Sequence, residues 1–79
     1  MPTVLNSKGF RFYFYSNENE EPIHIHIEGK GGNGKIWLEP TIEVGYFHNF
    51  SSRDQREIME IVDQYVNDFK DKWNEHFSE

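Results

Sequence analysis

The stretch PIHIHIEGKGGNGKIWLE, residues 22–39, decides how the rest of the chain is read. Ile23, Ile25 and Ile27 alternate with His24, His26 and Glu28. A period of two sends successive side chains to opposite faces of a strand, so one face is aliphatic and the other carries two imidazoles and a carboxylate. The run Gly29-Lys30-Gly31-Gly32-Asn33-Gly34 reads as a flexible turn. Lys35 to Glu39 reads as the next strand, with Ile36 and Leu38 opposed to Lys35, Trp37 and Glu39, and Pro40 ends or bends it.

Upstream, Phe10-Arg11-Phe12-Tyr13-Phe14-Tyr15 is an aromatic strand with three phenylalanines on one side and Arg11, Tyr13 and Tyr15 on the other. A polar loop, residues 16–21, is closed by Pro22 and is too long for a two-residue turn. Thr41 to Val44 reads as a short fourth strand with Ile42 and Val44 facing together, and Thr3 to Leu5 as an added edge strand. Pro2 suits a strand start, where no donor is needed; as a terminal amine it would be a candidate base, but nothing nearby lowers its pKa. Downstream, Ile58, Ile61, Val62, Tyr65, Phe69 and Trp73 recur at three- and four-residue steps, with Val66 and Phe77 extending the stripe. Glu57, Glu60, Asn67, Asp71, Asn74 and Glu75 occupy the opposite side. The helix is expected from about Ser52 to His76, capped by Ser52 with Gln55, with Ser51 as the competing cap.

These elements predict an α+β fold: a small antiparallel sheet of three to five strands with one long C-terminal helix packed on one face. Residues 1–79 form a single domain, 1–48 mainly strands and turns and 51–77 mainly helix. If the aliphatic rows face the helix, the other face carries Arg11, Tyr13, Tyr15, His24, His26, Glu28, Lys35, Trp37 and Glu39.

Composition narrows the function. The absence of cysteine excludes disulfides, thiolate-held metals and cysteine nucleophiles. Eight Lys and Arg are scattered among fourteen Asp and Glu, for a formal charge of −6. Phosphate binding draws on basic surfaces, so direct nucleic-acid binding is not expected and a basic protein partner suits the charge better. No apolar run reaches the length of a membrane span and no signal-peptide pattern is visible, so a cytoplasmic protein without membrane contact is expected.

His24 and His26 project to one side of a strand, their side-chain bases about 6.5 to 7 Å apart. They could share a divalent metal such as zinc only by tilting toward it, with Glu28, His48 or His76 as further ligands; no cofactor is otherwise predicted. As an acid–base set, His24 or His26 would be the base, Glu28 or Glu39 the orienting acid, and Arg11 or Lys35 the anion anchor. The acidic surplus weighs against such an enzyme. The plainer reading is a polar strand face ordered by hydrogen bonds to Tyr13, Tyr15 or Glu28. Tyr13, Tyr15 and Trp37, with His24 and His26, are the candidate partner contacts, since aromatic anchors dominate many interfaces. The glycines do not make a phosphate loop, because Lys35 leads into a strand and not a helix.

The motif order resembles that of a small bacterial family, domain of unknown function 4160. The matching pieces are Pro2-Thr3-Val4, the run from Gly9 to Glu18, Glu21 to Ile27, Lys35 to Pro40, Phe50-Ser51 and the helix end Trp73-Asn74-Glu75-His76-Phe77. Pro22-Ile23 stands where the family usually has two prolines, and Asn49 where it usually has glycine. The resemblance implies no activity. It implies a neighbour, a small DNA-binding-like protein, in toxin–antitoxin-like pairs. The function expected is therefore a small protein-interaction module, one component of such a pair or a self-dimer. The alternative is a small histidine-dependent hydrolase or nuclease, metal-assisted or not.

Overall fold

Among the described residues, five strands and one helix follow in chain order: β1 Thr3–Ser7, β2 Phe10–Tyr13, β3 His24–Gly29, β4 Gly32–Trp37, β5 Glu43–His48 and α1 Ser52–Phe77. The computed structural model describes residues 3–15 and 20–77; Pro2 and loop residues 16–19 lie outside the described residues. All strand pairs are antiparallel and the sheet order is β1-β2-β3-β4-β5, a meander.

Two tight turns build its hairpins. Lys8 and Gly9 (φ 56° and 87°) join β1 to β2, and Lys30 and Gly31 (φ 53° and 84°) join β3 to β4. Positive φ at both central residues matches the twist of the flanking strands. The turn is thus only two residues long, and Gly32 to Gly34 belong to β4, not to a mobile loop as expected. The physical reason lies in the neighbouring chain. A Cβ on Gly32 would meet the Asn49 carbonyl oxygen at 2.6 Å and the Phe50 ring at 2.7 Å. The glycine lets that segment lie directly on the strand.

The strand expected at Thr41 to Val44 starts later and runs longer. In β5, Ile36 faces Val44 while Lys35 faces Tyr46, leaving Gly45 as an extra residue. This bulge hides the strand's period in the sequence. Ile42, short of the strand, packs against the core, whereas Val44 stands exposed.

Ser51, not Ser52, caps the helix. Its hydroxyl accepts the Asp54 amide N–H at 3.0 Å, and the Asp54 carboxylate accepts the Ser51 N–H at 3.4 Å. That is the reciprocal pairing of a capping box, worth about 1 kcal/mol. Gln55 instead donates its side-chain amide to the Phe50 carbonyl at 3.1 Å. Just upstream, Asn49 takes φ 63° and donates to the Gly31 carbonyl at 2.8 Å. Asparagine tolerates this left-handed conformation better than most residues.

The helix covers the face carrying Phe10, Phe12, Phe14, Ile25, Ile27, Ile36 and Leu38, all buried. Its own buried stripe is Ile58, Ile61, Val62, Phe69 and Trp73. Phe12 stacks on Phe69 with centroids 5.5 Å apart, and Phe14 meets Trp73 at 5.3 Å. Each such side chain contributes roughly 1.5 to 3 kcal/mol by leaving water. Among the described residues, no helix is long and apolar enough to cross a membrane.

Candidate functional site

The strand registers place the singled-out residues in three rows across the uncovered face. Arg11, Glu28, Asn33 and His48 form one row; Tyr13, His26, Lys35 and Tyr46 the second; His24, Trp37 and Glu43 the third. The expected parity therefore holds through Trp37. Glu39 departs from it: beyond the end of β4, its carboxylate takes the Lys70 ammonium of the helix at 2.8 Å. Glu39 is engaged by α1, away from the acid–base set that was expected to include it.

In the middle rows the rings close on one another. His26 stacks on Tyr13 at 5.5 Å, meets Tyr15 edge-on at 4.8 Å, and lies 5.1 Å from His24. Trp37 reaches His24 at 5.3 Å. The helix contributes as well: Trp73 projects far enough at the end of the sheet to touch His24 at 4.9 Å. His24 is 0% exposed, Tyr13 6% and His26 7%. Among the described residues no second layer of secondary structure lies on this face, and its rings form a small second core.

Charged side chains form its lid. Arg11 sits 4.2 Å above the Tyr13 ring, donates to the Glu28 carboxylate at 2.9 Å and to the Thr3 hydroxyl at 2.8 Å. Lys35 sits 4.1 Å from the Trp37 ring and donates to Glu21 at 2.9 Å. Cations over aromatic faces gain from the ring quadrupole, and their aliphatic stems cover apolar area. Glu21 also approaches the His24 Nδ1 at 3.9 Å.

The hydrogen bonding fixes one tautomer. His24 Nδ1 lies 2.8 Å from the Pro22 carbonyl oxygen, which can only accept. Nδ1 therefore carries the proton. Burial, and then the hydrogen bond with Tyr15, push the Tyr13 phenol well above the ordinary tyrosine range; the charges of Tyr15 and Glu28 act in the same sense and Arg11 opposes them. Tyr13 is a neutral hydrogen-bonding group here, poorly suited to act as a base.

The candidate metal set is dispersed. His48 lies in the Arg11 row, on the far strand β5. His76 packs against Phe14 and Phe77 at 5.4 and 4.8 Å, at the helix end. Among the described residues, no group of three or more His, Asp or Glu is placed to hold a metal ion. Of the candidate partner contacts, Tyr13, His24 and His26 are interior, Trp37 is half-buried, and Tyr15 is exposed.

Two contributors were not foreseen. Tyr46 is exposed in the same row as Tyr13 and His26, but only a recognised β5 would have revealed it. Trp73 belonged to the expected helix stripe, yet nothing in its spacing says that it also reaches His24 around the end of the sheet.

Searches of curated proteins and of solved structures return no match. A family model, Domain of unknown function (DUF4160), matches residues 9–74. That span takes in β2 to β5, all the paired rings of the second core and all but the last turn of α1. On this match over most of its length, the chain belongs to the DUF4160 family.

Proposed function

We propose that the chain is a small protein-binding module, one component of a toxin–antitoxin-like pair, which meets its partner with the aromatic rim of the second core. One observation carries this reading. Tyr15 is 39% and Tyr46 47% exposed; Tyr15 packs on His26, and Tyr46 ends the row that contains His26 and Lys35. Tyr13 and His26 hold Tyr15 in place, the pairing of β5 with β4 places Tyr46, and the tyrosines supply large, stiff contact area. The partner is a small protein, and the net charge of −6 favours a basic one of DNA-binding type over nucleic acid itself. A cytoplasmic setting belongs to the same proposal. The buried imidazoles offer substrate no open approach, which weighs against the hydrolase alternative.

The test is purification of a lightly tagged copy from its native cell at physiological salt, with components identified by mass spectrometry. A stoichiometric small partner is expected, and the Tyr15→Ala, Tyr46→Ala double variant should lose it while remaining folded by circular dichroism, at a somewhat lower melting temperature because Tyr15 also packs on Tyr13 and His26. Normal partner recovery by that folded variant would remove the tyrosine rim from the interface. Growth assays with either component expressed alone then identify which member is toxic.

A further inference from the structure

We infer that the groove between β1 and the C-terminal half of α1 receives an extended, basic segment of a partner protein, which adds a strand to the β1 edge. This site lies on the helix side of the sheet and is independent of the tyrosine rim.

Among the described residues, β1 ends the sheet and has a strand neighbour, β2, on one side only. Unpaired strand edges are templates for another chain. The register against β2 slips within β1: Thr3 faces Tyr13 and Leu5 faces Phe12, so Val4 is an extra residue. Regular alternation would send Val4 and Leu5 to opposite faces. Here both line one groove of ≈ 300 Å³, with Tyr65 and Phe69 of the helix. The bulge has doubled the apolar lining that the edge strand supplies. Past Val4, a second recess of ≈ 230 Å³ continues toward Phe14.

The charge of the rim specifies the visitor. Asp68, Asp71 and Glu75 border the groove against one cation, Lys72. That lysine is itself 4.0 Å from Glu75. An apolar floor with a net acidic border fits valine- or leucine-like side chains flanked by lysine or arginine. The long stems of those cations can lie along the floor while their heads reach the carboxylates. An acidic segment would meet repulsion, and a helix would leave the β1 edge unpaired.

The probe is a short fluorescein-labelled peptide of mixed lysine and valine, titrated into the full chain and followed by anisotropy. Saturable binding that weakens with salt is expected. Asp68→Lys with Asp71→Lys should weaken it about tenfold, from two reversed surface charge contacts. Both positions are exposed, so the fold should be retained. A peptide of the same composition interrupted by proline should bind less well, because strand addition needs backbone donors. Slowed exchange of β1 amides on binding would support strand pairing directly. The inference is overturned by absence of binding, by equal binding of a glutamate–valine peptide, or by indifference to the aspartate reversal. Self-association of the chain through this groove, displacing the peptide, would assign it to a second copy and overturn it equally.

Discussion

The two faces of this sheet each have a dry centre, reached by different means. On the helix face, dryness comes from another element: α1 lays Ile58, Val62 and Phe69 over Phe12, Ile25 and Ile27. On the other face the cover is made mainly by the face's own side chains, with Glu21 and Trp73 at its edge. Rings of Tyr13, Tyr15, His24, His26 and Trp37 lean together, and Arg11 and Lys35 close over them. The first solution uses shape and apolar area. The second uses flat polar rings, which pack like hydrocarbon in their planes and still accept or donate at their edges. Amphipathic rings thus let this face bury area with side chains of its own.

Unequal mutational costs would sharpen this contrast. Phe12→Ala removes a fully buried ring stacked on Phe69 and should cost about 3 to 5 kcal/mol, read from urea unfolding. In a domain with few kilocalories to spare, it will sit near its unfolding midpoint at room temperature. His24→Ala should cost less, roughly 2 to 3 kcal/mol, since a smaller ring and one bond to the Pro22 carbonyl are lost. Equal losses at the two sites would mean that the ring face is as tightly built as the helix face.

The smallest effect is expected at Tyr13→Phe, which keeps the ring and deletes the hydroxyl. At neutral pH it should cost about 1 kcal/mol. Its signature lies in alkali. The folded chain holds the Tyr13 proton above the ordinary tyrosine value, so the unfolded chain releases it first as the pH climbs past about 10. The stabilisation is complete below that value and is lost as the pH rises toward the folded-state value. Thermal melts between neutral and alkaline pH should therefore show a flatter decline in Tyr13→Phe than in the parent. Parallel curves would place the hydroxyl in water and break the picture of a closed second core.

Legibility in the sequence followed the same divide. The alternation of Ile23 to Glu28 and the helix stripe were plain, because each obeys one period over its whole length. From them followed the α+β class, the helix-covered face and the membership of Arg11, Tyr13, His24, His26, Glu28, Lys35 and Trp37 in the other face. The first half of β4 was hidden because glycine usually marks a turn, whereas Gly32 and Gly34 are strand residues shaped by the chain lying against them. Thr41 to Val44 reads as a strand that overlaps only the start of β5; its continuation to His48 is hidden by the bulge at Gly45, which breaks the period at the strand's centre. The closure of the ring face could not be read either. Parity says which side a ring points to, but not that Glu21 and Trp73, from a loop and from the far end of the helix, arrive to seal it.

The meander also sets the order in which the molecule can assemble. Every strand pairs with its neighbour in sequence, so each hairpin closes only a short stretch of chain and little loop entropy opposes it. Topologies of this kind tend to fold quickly for their size. As the chain leaves the ribosome, β1 to β4 can pair before α1 exists, and Tyr13, His26 and Lys35 can meet while the isoleucine row is still bare. The ring face would then serve as the early scaffold, holding the sheet in register until the helix arrives to cover the other side.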